Sequence, residues 1–140
     1  MAERFIGTWK LLSYENRSGD QVTYPLGKNP VGYIMYNAEG YMTVAIMASN
    51  RRRSSSNDIM SATTEEIVAA CSTYISYCGK YDVTEGKVIH HVEISLIPNW
   101  TGEDLVRFYK FEGDKLILST PPMIFGGKQQ NGYLIWERMT

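Results

Sequence analysis

Much of this 140-residue chain's chemistry is bounded by what it holds little of. It has two histidines and two cysteines. His90 and His91 are neighbours, so on a strand they face opposite ways, and no third His or Cys stands at ligand spacing from them. No metal centre is expected. Cys71 and Cys78 are seven residues apart, which on one helix is about 10 Å of axis, beyond the reach of a disulfide. With two unpaired thiols and no apolar leader, the expectation is a cytoplasmic protein in a reducing compartment. No apolar run is long enough to cross a bilayer as a helix, so no membrane partner is expected. Charge of one sign is also missing: 14 Lys and Arg stand against 15 Asp and Glu, for a net charge of −1. That balance gives no field to draw nucleic acid. The one basic run, Arg51-Arg52-Arg53, lacks interleaved aromatics and reads as a solvated loop. There is no Gly-x-Ser-x-Gly, no P-loop, no dinucleotide-binding glycine turn and no His-Glu-x-x-His. No cofactor is expected.

What is there is tyrosine. Ten tyrosines, three tryptophans and four phenylalanines make 12% of the chain aromatic. Tyrosine favours strands and suits cavity walls, with an apolar ring and one polar tip. Alternating apolar segments bounded by Gly, Pro, Asn and Asp predict strands over Phe5–Asn16, Gly32–Tyr36, Tyr41–Ala48, Lys80–Thr84, Lys87–Ile97, Asp104–Glu112, Lys115–Ser119 and Gln130–Met139. One helix is expected near residues 63–75. Thr63 followed by Glu66 forms a capping box, and Ile67, Ala70, Cys71, Tyr74 and Cys78 recur at helical spacing as a stripe to lie against the fold or over its mouth. Short sequential connections between about eight antiparallel strands predict an all-β, up-and-down barrel occupying residues 1–140 as a single domain.

Specific residues carry a family likeness. Gly7-Thr8-Trp9-Lys10-Leu11 opens the first strand, and Leu134-x-Trp136-Glu137-Arg138 closes the last. Between them stand Pro25-x-Gly27, Gly32-Tyr33-Ile34-Met35-Tyr36 and Gly40-Tyr41-Met42. Tyr77-Cys78-Gly79-Lys80-Tyr81, His90-His91-Val92, Pro98-Asn99-Trp100-x-Gly102, Arg107 and Leu116-x-Leu118-x-Thr120-Pro121 complete the set. Together these blocks resemble the lipocalin-like domain proteins of bacteria and fungi, a branch of the calycin barrels, along the whole chain. The resemblance implies a barrel with an internal cavity, in which Trp9 closes one end and Arg138 packs across it as structural residues. It also implies a role in secondary metabolism for some members, where such a barrel binds or isomerises an intermediate.

Alternation within strands then nominates polar residues for the interior. Lys110 and Glu112 share a face with Val106 and Phe108, so placing the charges outside turns Arg107 inward. A buried guanidinium requires a carboxylate, several acceptors or an anionic ligand; Glu93 is the candidate protein partner. On the strand before it, simple alternation puts His90 inside and His91 outside, and one bulge would reverse this. Either histidine, with Arg107, is a candidate catalytic residue. An inward histidine also has the chemistry of an axial haem ligand, but a hydrogen-bonded core role is the commoner one for a lone histidine in an apolar wall. Candidate ligand-binding residues are Tyr33, Tyr36, Met42, Tyr81, His90, His91, Arg107, Tyr109, Phe125 and Trp136. Met123, Ile124 and Phe125, flanked by prolines and glycines, are a candidate lid.

Three functions from different classes fit these residues. The first is a barrel that binds a small, mostly apolar or aromatic molecule with a polar or acidic end. The second is a cofactor-free isomerase or cyclase using general acid–base chemistry in the same cavity. The third is a filled barrel acting as a homodimeric interaction module.

Overall fold

A computed structural model describes residues 2–140, and its strands follow the apolar alternation of the sequence. They are β1 (Gly7–Ser18), β2 (Gln21–Thr23), β3 (Val31–Tyr36), β4 (Tyr41–Met47), β5 (Tyr74–Thr84), β6 (Lys87–Ser95), β7 (Asp104–Glu112), β8 (Lys115–Ser119), β9 (Met123–Phe125) and β10 (Lys128–Arg138). Each of β1, β3–β8 and β10 pairs antiparallel with its neighbours in that order, and β10 pairs back to β1. The result is a closed eight-stranded antiparallel barrel, with β2 and β9 as short extra strands. Closure leaves no long unpaired edge among the eight.

Two bulges set which side chains point inward. On β1 the register against β10 slips between Leu11 and Ser13. Trp9 and Leu11 face in before it, and Tyr14 and Asn16 face in after it. On β6 the slip leaves Glu93 unpaired, between the Cys78–Ile94 and Gly79–Val92 pairs. Val88, His90 and Val92 face in before the bulge, while Glu93 and Ile94 are exposed. Gly79 is required opposite this bulge. A Cβ there would lie 1.9 Å from the His91 carbonyl oxygen and 3.0 Å from the Glu93 nitrogen. The bulge therefore lies beyond the histidines, and the alternation that places His90 inside stands.

The helix differs from its expected extent. α1 runs Thr64–Ser72, capped by Thr63 and Glu66 in a reciprocal box. Tyr74 and Cys78, assigned by spacing to the helical stripe, lie instead on β5, which starts six residues before the expected Lys80. The physical reason is the ladder: β4 pairs over its full length, from Tyr41–Lys80 to Met47–Tyr74, and leaves no room for more helix. No residue of α1 is buried, and Ile67 and Val68 are more than half exposed, so the expected packing of that stripe on the barrel is not formed. Arg51 ties the helix down instead. It donates from Nε to Thr73 Oγ1 (3.0 Å) and from Nη2 to the Ala70 carbonyl (3.1 Å), where a cation also meets the negative end of the helix dipole. Cys71 and Cys78 are both free.

One half of the barrel is packed solid. Phe5 meets Tyr36, Tyr109 and Phe111 edge-on at 5.1, 4.9 and 5.0 Å between centroids. Trp9 donates its indole N–H to the Phe5 carbonyl (2.9 Å). The Arg138 guanidinium lies 4.2 Å over the Trp9 ring and donates to the carbonyls of Ile6 and Arg4. This plug closes the end of the barrel at which the first and last strands meet.

Candidate functional site

Above the plug the barrel holds a cavity of about 110 Å³. Its walls are mostly apolar: Ile34, Val44, Ile46, Ile75, Leu118 and Leu134 line it with Trp100 and Trp136. Polar groups enter at few points, chiefly Tyr14, Tyr77, His90, Arg107 and Thr120. The barrel is thus neither filled nor hollow. A filled core would have no such cavity.

His90 is buried at 1% exposure, with a tyrosine on each ring nitrogen. Nε2 lies 2.7 Å from Tyr36 Oη, and Nδ1 lies 2.7 Å from Tyr77 Oη. Burial first, then the nearby positive charge of Arg107 and then His91, hold the imidazole well below the ordinary histidine pKa. It is neutral, so one nitrogen carries a proton and the other accepts one. Burial likewise raises both tyrosine hydroxyls, so they stay protonated.

The tautomer follows from counting acceptors. Tyr36 is fully buried and bonds to no group other than Nε2 among the described residues. If it accepted from Nε2, its own proton would be stranded, and a stranded buried donor costs about 1–3 kcal/mol. Tyr77 lines the cavity and Tyr36 does not, so the Tyr77 proton has a place to turn; Tyr36 therefore donates to Nε2, and Nδ1–H donates to Tyr77. The positive charge of Arg107 stands near the Tyr77 hydroxyl, which receives from His90 and keeps its own proton to donate into the cavity it lines.

Arg107 faces inward from β7, as do Leu105, Tyr109 and Phe111. It donates from Nη1 to the Val106 carbonyl (3.2 Å). Among the described residues it forms no ion pair; Glu93, the candidate partner, is exposed on the outer face. Arg107 also stands at a gap. The β7–β8 ladder begins at Phe108–Ser119, and beyond Thr120 the chain runs through Pro121 and Pro122, which have no N–H to continue it. An outer groove lies against this gap, lined by Asp104, Leu105, Val106, Pro121 and Pro122. It shares Trp100, Arg107, Thr120 and Met123 with the inner cavity. Met123 and Phe125 of β9 cover the cavity from the adjoining side, while Ile124, between them, points to solvent at 71% exposure.

Of the residues nominated from sequence, His90, Arg107, Phe125 and Trp136 line the cavity. Tyr36 stands behind His90. Met42, Tyr81 and Tyr109 belong to the packed core rather than to the cavity wall. Tyr81 donates to the Asn37 carbonyl (2.9 Å), and Tyr109 to the Thr84 carbonyl (3.1 Å). Tyr33 is corrected outright. Gly32, Ile34 and Tyr36 take the inner face of β3, so Tyr33 faces solvent. His91 is also outside, its Nε2 2.7 Å from Asp82 and its Nδ1 2.7 Å from Asp104. These two carboxylates raise its pKa, opposite in direction to its neighbour. Tyr14, Tyr77, Trp100 and Thr120 were not nominated. Tyr77 shares parity with Tyr81 once β5 is read as a strand, and Tyr14 needs the bulge at Leu12 to be placed inside.

The chain is similar to proteins of known sequence. Over 107 residues it is 33% identical to the "4'-hydroxy-3'-methoxypropiophenone carrier protein" of Aspergillus oryzae, an alignment that takes in 70% of this chain and 96% of that one. Among solved structures it is similar to a mutant of the fluorescent protein UnaG, with 13% identity, a TM-score of 0.41, and coverage of 99% of this chain and 98% of that one. The sequence model for the lipocalin-like domain matches residues 6–139, from the first strand through the last, and the chain therefore belongs to the lipocalin-like domain family.

Proposed function

We propose that this protein binds and carries a small, single-ring aromatic molecule with an oxygen-bearing polar end. The observation behind this reading is a polar set in an apolar wall: Arg107, which has no ion-pair partner among the described residues, and the Tyr77 hydroxyl. Both are donors, and both favour a carbonyl, phenolate or carboxylate oxygen over an amine. Size points the same way. A dry cavity of about 150 Å³ accepts benzene, so about 110 Å³ suits one ring at most before the walls move. A substituent on that ring can extend past Arg107 into the outer groove. The relative of 33% identity is named as the carrier of an aryl ketone with one ring and oxygen substituents, which matches this chemistry.

The enzyme reading is weaker on geometry. Both nitrogens of His90 are taken by tyrosines, so it offers no free base to a ligand. His91, the other candidate, faces solvent.

The test is direct titration with 4-hydroxypropiophenone and with propylbenzene as the apolar control, together with native mass spectrometry of the purified protein. The ketone is expected to bind and to be recovered unchanged. Arg107→Met is expected to weaken it about 10- to 100-fold, the worth of one hydrogen bond to a charged group, while leaving propylbenzene within about twofold. Unchanged affinity of the Arg107→Met variant for the ketone would refute the assigned polar end. Conversion of the ketone would restore the enzyme reading.

A further inference from the structure

The two core tryptophans treat their indole N–H groups differently. Trp9 spends its own inside the fold, on the Phe5 carbonyl at 2.9 Å. Trp136 is equally buried, at 1% exposure, and its Nε1–H has no hydrogen-bond partner among the described residues. A stranded buried donor is unfavourable, and phenylalanine would fill the same wall without it. The residue that carries this donor also lines the cavity.

Register places it at the far end from Arg107. Trp136 is paired with Leu116 on β8, and Leu116 is paired in turn with Phe111 on β7. Phe111 is four residues along β7 from Arg107, on the same inward face, which is about 13 Å of strand. Arg107 therefore stands at the end of the cavity that meets the outer groove, and Trp136 stands toward the Phe111 end.

We infer that Trp136 Nε1–H is a second ligand-binding donor, so that the ligand carries a hydrogen-bond acceptor at both ends of its apolar body. The inference rests on the proposed carrier function and sharpens it. A molecule with one polar head and a plain hydrocarbon tail leaves Trp136 unsatisfied. One with a second oxygen, as hydroxyl, ether or carbonyl, satisfies it. Because indole N–H only donates, an ammonium at that end is rejected.

Three probes separate the outcomes: 4-hydroxyacetophenone with an oxygen at each end, and 4-ethylphenol and acetophenone with one oxygen each. For the unmodified protein the first is expected to bind at least fivefold more tightly than either of the others. In Trp136→Phe that advantage is expected to vanish, while one single-oxygen probe keeps its affinity within twofold. A downfield shift of the Trp136 Nε1–H resonance on addition of 4-hydroxyacetophenone, and none with the single-oxygen probe held by Arg107, gives a second readout in the unmodified protein. It does not depend on how the variant folds. If none of the probes binds, the carrier reading itself fails. If the probes bind but the two-oxygen advantage survives Trp136→Phe, or the indole resonance stays put, the second donor site is refuted and the carrier reading stands.

Discussion

Acidification between pH 6.5 and 5.0 is expected to destabilise this barrel through one residue. In the unfolded chain His90 takes a proton near pH 6.5, whereas in the folded chain burial and the Arg107 charge hold its pKa well below that. Between those two values the unfolded state binds more protons, so stability rises with pH and falls as pH drops below 6.5. The limiting slope is about 1.4 kcal/mol per pH unit, which makes roughly 2 kcal/mol the ceiling over that window. The tyrosines facing the imidazole do not titrate there, since burial raises Tyr36 and Tyr77 above the ordinary tyrosine value. His91 has the opposite sign. Its pKa is raised by Asp104 and Asp82, so its contribution is fully present below pH 6.5 and is lost as pH rises through the raised value. That contribution stays below about 1 kcal/mol, because the His91 side chain is 35% exposed and its partners more so. The two adjacent histidines therefore act in different pH windows and can be read separately. The assay is urea unfolding followed by tryptophan fluorescence at closely spaced pH values and constant ionic strength. His90→Gln should cost about 1–3 kcal/mol at pH 7.5 through the tyrosine bonds it disturbs. It should also flatten the slope between pH 6.5 and 5.0, with the carboxylate contribution cancelling in the comparison. If His90→Gln keeps the wild-type slope, the buried neutral imidazole is the wrong account.

Two further substitutions test the frame that holds the site. Gly79→Ala would put a Cβ 1.9 Å from the His91 carbonyl, against backbone that cannot swing aside. A loss of about 3 kcal/mol or more is expected by chemical denaturation, and a loss under 1 kcal/mol would mean that the bulge at Glu93 is not held as described. Arg138→Ala removes two hydrogen bonds to the carbonyls of Ile6 and Arg4 and the cation over Trp9. About 2–3 kcal/mol should be lost, with Arg138→Lys recovering only part because an ammonium lacks the flat fork. A thermal midpoint for Arg138→Ala equal to that of the unmodified protein would overturn that assignment.

The barrel was legible because period-two alternation is strong along its strands, as over β3 and β4. Arg107 was legible for the same reason: Lys110 and Glu112 force the parity of β7. Parity also rules out one nomination in advance. Tyr33 and Tyr36 are three residues apart on a strand without a bulge, so they cannot share a face, and the burial of Tyr36 expels Tyr33. Bulges are harder to see. Nothing local to Leu12 announces that Tyr14 will join the interior; the slip is a property of its pairing with β10. The end of α1 is ambiguous for another reason. Residues 67, 70, 71, 74 and 78 satisfy helical spacing, while the Tyr74–Gly79 segment satisfies strand alternation, and only the length of β4 decides between them. The unpaired donor of Trp136 was not legible at all, since it depends on which carbonyls the packed core leaves within reach.

The closing of the barrel by β1 against β10 also has a consequence in time. Arg138 and Ile6, hydrogen-bonded across that seam, are 132 residues apart in the chain. During synthesis the first strand is made early and has half of its pairing partners missing until β10 leaves the ribosome. Such long-range closure is slow, because most of the chain's entropy is surrendered before the contact rewards it. Without β10 the remaining strands make only an open sheet, with β1 and β8 each lacking a partner. Unpaired edges of this kind are what make an incomplete barrel prone to aggregate.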